Sequence, residues 1–471
     1  MALIWILLDR VPKHYPAVSE PIEKTEALPT TDQDLDGFAS PYLGHTGSWD
    51  GKGGGIFGSS KIPDLEVEKS MGLRWTFMPV HWRELEPEGP VDLTAQIPAA
   101  WKALDHFIIA AHDRKLNVLI QAPVIGGNAG GPPAWVGRRE KGKSAPANME
   151  AAAVFAAKLA ARYAPGGYLA IQEGWDNRYG VRAWELDNEP DGYRTHWKNQ
   201  AADYAEFVTK VARAIRTVDA KAVIVGPSIM GSGARWIEGA LDAHALSGSP
   251  AFRGLKTPYS IGPQLDVISF HAYEGLDSAL SSTDRTIETV LSEVRDVFTK
   301  WENRSPGFHY SRKSQYWHTE GNFDFFGVLS KERRAAWRIQ FFTRAFAAGI
   351  RKVNVMDPSK QEQQAVRAYV EALPNPFPMQ RADSLVSVHK GNPVVYRHLD
   401  QDDLHAGSVW IAWATANTGD AELEVPVVQE LIKQVTVDGI TRTIHPTNRA
   451  VRVHLTGDTK MAPPVLLLDR N

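Results

Sequence analysis

At 471 residues the chain exceeds one average domain, so a large domain with a small companion is the starting expectation. Hydrophobic residues at 43% and charged residues at 23% exclude disordered and collagen-like classes. A formal net charge of −3 with both signs interspersed offers no field of one sign for nucleic acid or an anionic membrane surface, and the absence of cysteine excludes disulfides, thiolate metal sites and a cysteine nucleophile. Neither observation fixes a compartment.

The apolar run Ala2 to Leu8 is too short to span a bilayer and lacks a basic leader and a small-residue cleavage site, so it reads as a strand. From about Gly54 to Leu373, short β-rich runs alternate with amphipathic helical runs, the pattern of parallel βα units. The eight candidate strands are 54–57, 73–78, 117–122, 181–186, 222–226, 265–270, 315–319 and 352–356. Helices are expected between them over 101–114, 149–163, 202–218, 287–301 and 331–348. In the run 149–163, Ala153, Phe155, Ala156, Leu159 and Ala160 fall near the 3.6 period, so one face can pack on a sheet. Eight such units predict an α/β chain folded as a (β/α)8 TIM barrel over 46–375. Pro374, Pro376 and Pro378 then break the pattern. Residues 376–471 read as a smaller all-β, sandwich-like domain with strands 394–397, 408–414, 433–437, 450–455 and 464–468, and a hairpin turn at Asp438-Gly439. Residues 1–45 form an N-terminal extension from which Ile4 to Leu8 could add a strand to that domain. No flexible linker separates barrel and tail, so the two are expected to dock, with Trp410, Ile411 and Trp413 alternating between faces.

In such a barrel, chemistry sits at the carboxyl ends of the strands. Strand four ends in Trp184-Glu185-Leu186-Asp187-Asn188-Glu189-Pro190, where Pro190 stops pairing and leaves Glu189 at the rim. Strand seven ends in His318-Thr319-Glu320-Gly321, with Gly321 letting the chain turn away. Two carboxyl groups about 5–5.5 Å apart are what hydrolysis of a glycosidic bond with retention requires. Glu189 is assigned the acid/base role, Glu320 the nucleophile, and Asn188 a hydrogen bond to the sugar 2-hydroxyl. Glu185 and Asp187 alternate with Glu189 and are assigned structural roles. Fifteen tryptophans add indole faces suited to sugar rings, with Trp82, Trp135, Trp197 and Trp317 as candidate platforms, although core packing is the commoner fate of any one of them.

The Asn-Glu-Pro after strand four and the Glu after strand seven resemble the TIM-barrel retaining glycosidases of clan A. Phe270-His271-Ala272-Tyr273 is similar to the His-x-Tyr that ends strand six in that clan. The resemblance implies that Tyr273 hydrogen-bonds Glu320 and that His271 lines the sugar site. Trp82 and Glu86-Pro87 resemble the Trp and Glu-Pro that follow strand two. With the β-rich tail the layout is most similar to family 39, which includes β-xylosidases, and the strand-four ending also resembles that of certain endoglucanases. Three positions depart from the pattern. Phe77 stands where the clan often has an arginine contacting the nucleophile, with Arg74 three residues earlier. Strand eight ends Met356-Asp357 without a tryptophan, and Gly321 follows the nucleophile where family 39 tends to have Trp.

Other patterns in the sequence compete with this constellation. Residues 137–144 match a Walker A phosphate loop literally, but Pro132-Pro133 and Pro146 stand where a strand and a helix are needed. Gly53 to Gly58 fits a dinucleotide pattern without a preceding strand. His309 and His318 lack metal-ligand spacing, and His318 reads as a packed core group. A non-catalytic carbohydrate-binding barrel would be expected to lose one carboxylate, and both are present. The expected partner is a carbohydrate, with no cofactor, no metal and no nucleic acid or membrane partner; sugar, linkage, endo or exo action and oligomeric state are left open.

Overall fold

The computed structural model describes residues 40–46, 64–126, 130–175, 178–192, 197, 200–230, 234–242, 259–274, 286–304, 315–321, 329–399, 408–458 and 461–470. Eight parallel strands close a barrel in sequence order: β1 (Ser40–Thr46), β2 (Leu73–His81), β3 (Asn117–Val124), β4 (Ala183–Glu185), β5 (Val223–Ile229), β6 (Val267–His271), β7 (Gln315–Glu320) and β8 (Ile350–Met356). Seven of the eight fall where the sequence places them. The first does not: β1 pairs with both β2 and β8 and so closes the ring from inside the expected N-terminal extension. The run Ser40–Thr46 holds Pro41 and Gly44 and lacks the apolar density of the other strands, which hides it in sequence. A Cβ on Gly44 would meet the Asn354 side chain of β8 at 2.5 Å, so the glycine is what lets β1 close the ring. The candidate strands at 4–8 and 54–57, the Gly53 to Gly58 pattern and His309 lie outside the described residues.

Helices pack around the barrel where apolar periodicity expects them, at Ala99–Asp113, Met149–Tyr163, Ala201–Val218, Ile287–Arg304 and Lys331–Ala347. Their starts are set by side chains that accept otherwise unpaired amides. Asn148 receives Ala151 N, and Ser330 receives Arg333 N. Ser359 and Glu362 cap the final barrel helix, Lys360–Ala372, reciprocally.

The two-residue period of the strands sorts the barrel interior into layers. Trp75, Phe77, Leu119, Ala183, Val225, Val267 and Trp317 form a buried apolar layer. Two residues further along three of those strands, Gln121, Glu185 and Thr319 make a polar layer above it. The reactive end of the barrel rests on that second layer.

The tail forms two antiparallel sheets. One has six strands in the order β15-β14-β17-β12-β11-β9, the other three in the order β10-β13-β16. Their ranges are β9 (Met379–Arg381), β10 (Ser387–Lys390), β11 (Pro393–Leu399), β12 (Ser408–Ala414), β13 (Ala421–Pro426), β14 (Ile432–Thr436), β15 (Thr441–Ile444), β16 (Ala450–Leu455) and β17 (Val465–Asp469). All five expected tail strands are present, and the β14–β15 hairpin turns at Asp438-Gly439 with Gly439 at φ 79°. The strand β12 is buried on both faces. Trp410, Ala412 and Ala414 face Leu423, Val425 and Val453 between the sheets, whereas Ile411 and Trp413 join the barrel's hydrophobic core. Polar links fasten the same contact: Gln340 Nε2 donates to Ala462 O at 2.7 Å, and Arg470 Nη2 to Ala372 O at 2.6 Å.

Candidate active site

Glu189, His271, Tyr273 and Glu320 converge at the carboxyl end of the barrel. Regular alternation does not bring them there. The strand β4 ends at Glu185, after which Asp187 and Glu189 both take left-handed conformations, at φ 63° and 43°. Such φ values cost non-glycine residues on the order of 1–3 kcal/mol each and persist only where neighbours enforce them. Here the enforcing contacts are visible. Glu189 N donates to Ser228 O at 3.1 Å, and Ser228 is itself left-handed at φ 58°. The buried Asp187 carboxylate receives Ile125 N and Gly126 N at 3.0 Å each and Trp197 Nε1 at 2.5 Å. Asp187 thus ties the β4 loop to the end of β3. On β7, Trp317 and Thr319 face the interior, and the pairing with β6 shifts register between Phe270 and His271, placing His271 opposite Glu320. That irregularity re-aims the end of the ladder.

His271 Nδ1 lies 2.8 Å from Glu189 Oε1 and 3.9 Å from Glu320 Oε2, and Ser228 Oγ lies 3.0 Å from Nε2. One ligand-type atom from each of Glu189, His271 and Glu320 falls within 4.8 Å of the others. The imidazole is 1% exposed, while the Glu189 and Glu320 side chains are 15% and 20% exposed, so the carboxylates open to the cleft and the ring sits behind them. Tyr273 Oη donates to Glu320 Oε1 and lies 3.9 Å from Met356 Sδ.

Burial disfavours a charged His271, but Glu320 and the hydrogen bond to Glu189 overcome it and push the imidazole up to about 9. The shift favours the charged ring, which can donate to Glu189 Oε1 through Nδ1 and to Ser228 Oγ through Nε2. Burial raises Glu320, opposed by the His271 charge and the Tyr273 hydrogen bond and reinforced by Glu189. Burial and the two carboxylates hold the Tyr273 phenol well above its usual range, so it stays a donor. Burial, with Glu189 nearby, lifts Asp191 to about 6 despite its bond from Met230 N at 3.0 Å.

Asn188 is half-buried beside Glu189, its Oδ1 accepting from Gln121 Nε2 at 3.1 Å. Two expected sugar contacts are placed elsewhere. Trp82 is fully buried, stacked on Phe155 with centroids 5.5 Å apart, and donates to Glu86 Oε2 at 3.0 Å. Trp317 is fully buried in the interior apolar layer against Trp75. Neither indole has a face open to a sugar, because each is consumed by packing. Trp197 is buried as the Asp187 donor, and Trp135 is half-buried, donating to Glu86 O at 2.8 Å.

Ser228 and Asp191 escaped the sequence reading. Ser228 had only its place at the end of a strand to mark it, and Asp191 only its proximity to Glu189. Phe77 lies in the interior layer and Arg74 on the opposite face of β2, so neither reaches Glu320. At the Walker-like residues no strand leads into Gly137; Arg138 bridges back to Pro146 in a loop that precedes the helix at Met149. His318 is buried against Phe270 and Phe341, its Nε2 3.3 Å from Ala272 O, and burial lowers it to about 3, as a neutral core group requires. Among the described residues, no helix is long and apolar enough to cross a membrane.

Residues 140–252 match the family model of glycoside hydrolase family 44, a span that includes Glu189 but not Glu320. The match is thus to family 44, where the sequence layout resembled family 39. No curated protein matches the chain by sequence. Among solved structures, a glucosidase from Croceicoccus marinus aligns with TM-score 0.57 and 14% identity over 94% of this chain and 98% of that one. A family 44 xyloglucanase from Paenibacillus polymyxa aligns with TM-score 0.53 and 12% identity over 92% and 97%. A monomeric β-xylosidase from Caulobacter crescentus CB15 aligns with TM-score 0.53 and 13% identity over 91% and 96%. At these identities the likeness is one of fold: a barrel with its β-rich companion.

Proposed function

We propose that this chain is a retaining glycoside hydrolase that cleaves a β-glycosidic bond by double displacement. The observation that carries the reading is the approach of Glu189 and Glu320 to within 4.8 Å at the carboxyl end of a barrel. That separation suits direct attack by one carboxylate and leaves no room for an intervening water, which inverting enzymes need. The partial family 44 match supports the same reaction class.

In the first step Glu320 attacks the anomeric carbon while Glu189 gives its proton to the departing oxygen, and the glycosidic bond breaks. In the second, Glu189 takes a proton from water as the water oxygen attacks the same carbon and the Glu320 ester bond breaks. Tyr273 steadies the Glu320 carboxylate before attack. His271 stabilises Glu189 as it becomes a carboxylate, and Ser228 fixes the ring from behind. No step calls for a cofactor or a metal ion. The named activities of the structural neighbours direct the first assays to aryl β-glucosides, aryl β-xylosides and xyloglucan.

Replacing the acid by Glu189→Ala should slow substrates whose leaving groups need protonation by about 100-fold or more, and activated aryl leaving groups far less. Equal losses across a series of leaving-group pKa values would overturn the assignment of Glu189. A non-catalytic sugar-binding barrel would show no turnover in either series.

A further inference from the structure

Beneath the two glutamates lies a buried carboxylate to which the proposed reaction gives no task. Glu185 is 0% exposed, the last residue of β4, pointing into the barrel. Both of its oxygens accept from side chains of other strands. Gln121 Nε2 on β3 donates to Oε2 at 2.9 Å, and Thr319 Oγ1 on β7 donates to Oε1 at 2.8 Å. Each donor leads to the reactive layer. The same Gln121 nitrogen reaches Asn188 Oδ1 at 3.1 Å, and Thr319 immediately precedes Glu320. The Thr319 carbonyl is held in turn by Thr46 Oγ1 and by Asn354 Nδ2, the latter at 3.2 Å.

Below Glu185, Lys352 of β8 is fully buried, its Nζ 3.5 Å from the Trp75 ring centroid and 4.4 Å from that of Trp317. Burial drives this amine well below its usual range, and the Glu185 charge opposes the shift. Among the described residues Lys352 Nζ has no hydrogen-bond partner, and it rests against the two indole faces below Glu185. Glu68, by contrast, is buried on the helix Leu65–Ser70 outside the barrel, where it meets His45 Nδ1 at 2.8 Å and Thr76 Oγ1 at 3.1 Å.

We propose that Glu185 is a positioning residue for the glycosidase reaction, aligning the Asn188 amide through Gln121 and the Glu320 backbone through Thr319. The inference rests on the glycosidase reading and on Asn188 meeting the sugar 2-hydroxyl. A contact that strengthens at the transition state depends on geometry to a fraction of an ångström, so loosening its support lowers kcat more than it raises KM. A role confined to stability would leave that split, and the preference for a 2-hydroxyl, unmoved.

The test uses the full chain with the aryl glycoside that the wild type hydrolyses fastest and its 2-deoxy analogue. Glu185→Gln is expected to lower kcat by about 10- to 100-fold with KM changed by less than about 3-fold, and to narrow the preference for the 2-hydroxy substrate. In the Asn188→Ala background, Glu185→Gln should cause no further narrowing of that preference, because its route to the 2-hydroxyl passes through Asn188. Wild-type preference in Glu185→Gln, or narrowing that multiplies in the double variant, overturns the proposal. Should Glu185→Gln fail to fold, Glu185→Gln/Lys352→Met removes the carboxylate and the buried amine below it together and carries the same measurements. A wild type without turnover on every glycoside tested defeats the glycosidase reading itself, a result distinct from either of these.

Discussion

His271 is where the opposing electrostatic effects of the site meet. Burial alone would make it neutral, yet the two carboxylates in front of it raise it to about 9. Its positive charge in turn lowers Glu320, countering the effect of burial. In the proposed reaction Glu320 must be ionised to attack, so the acid limb of kcat/KM should follow Glu320 in the free enzyme. Removing the charge with His271→Gln withdraws the opposing influence and lets Glu320 rise, so the acid limb should move to higher pH, on the order of one unit. A pH–rate profile measures this, and an acid limb unmoved or displaced to lower pH contradicts it. The stability linkage has its own sign: a histidine raised from about 6.5 in the unfolded chain to about 9 in the fold stabilises fully below the lower value and loses that contribution as pH rises through about 9. The sequence marked Glu189 and Glu320 because reactive groups cluster at strand ends, and His271 and Tyr273 through the resemblance to clan A. It could not show that His271 bonds Glu189, since that contact depends on two left-handed residues and a shift in register. Trp82 and Trp317 were misread for the complementary reason: position near a strand end says nothing about which way a side chain points, and packing took both, Trp82 at the start of the helix Trp82–Leu85 and Trp317 inside the barrel.

At the scale of elements, strand ends do the positioning. After β7 the chain passes so close to β6 that a Cβ on Gly321 would lie 2.0 Å from Ala272 O and 2.4 Å from His318 Nε2. The first is backbone, and the second belongs to a buried ring whose neutral form suits its surroundings. This accounts for a glycine where family 39 tends to have tryptophan: no side chain fits between these strands. Gly321→Ala should therefore push β7 off β6, lowering stability by about 1–3 kcal/mol and displacing Glu320 enough to cost about 10-fold or more in kcat. Thermal melting with steady-state kinetics checks both, and a variant that melts and turns over like wild type refutes the close approach. Seven barrel strands were legible because each is a dense apolar run followed by a periodic helix. The strand β1 was not, as its short sequence carries proline and two glycines' worth of turn signal in and around it, and only closure against β8 reveals it. The tail strands β9, β10, β13 and β15 were also missed: short, exposed or alternating runs such as Met379–Arg381 and Ala421–Pro426 leave a weak signal without a partner sheet in view.

For the whole molecule, the tail is part of the barrel's packing. Ile411 and Trp413 on one face of β12 enter the barrel core, while Trp410 fills the space between the tail's own sheets, as alternation along one strand dictates. Ending the chain near Leu373 would uncover the apolar helix surface beneath Trp413 and leave Gln340 without its bond to Ala462 O. The shortened chain is expected to melt lower or to aggregate, measured by calorimetry and light scattering; a soluble product with full-length melting temperature and activity would show the tail to be an independent module. In the proposed reaction the barrel holds two carboxylates at a fixed separation, and the stereochemistry of the product reads that separation most directly. Proton NMR of the first-formed sugar, recorded before mutarotation, should show the anomeric configuration of the substrate retained; an inverted product would contradict the paired action of Glu189 and Glu320.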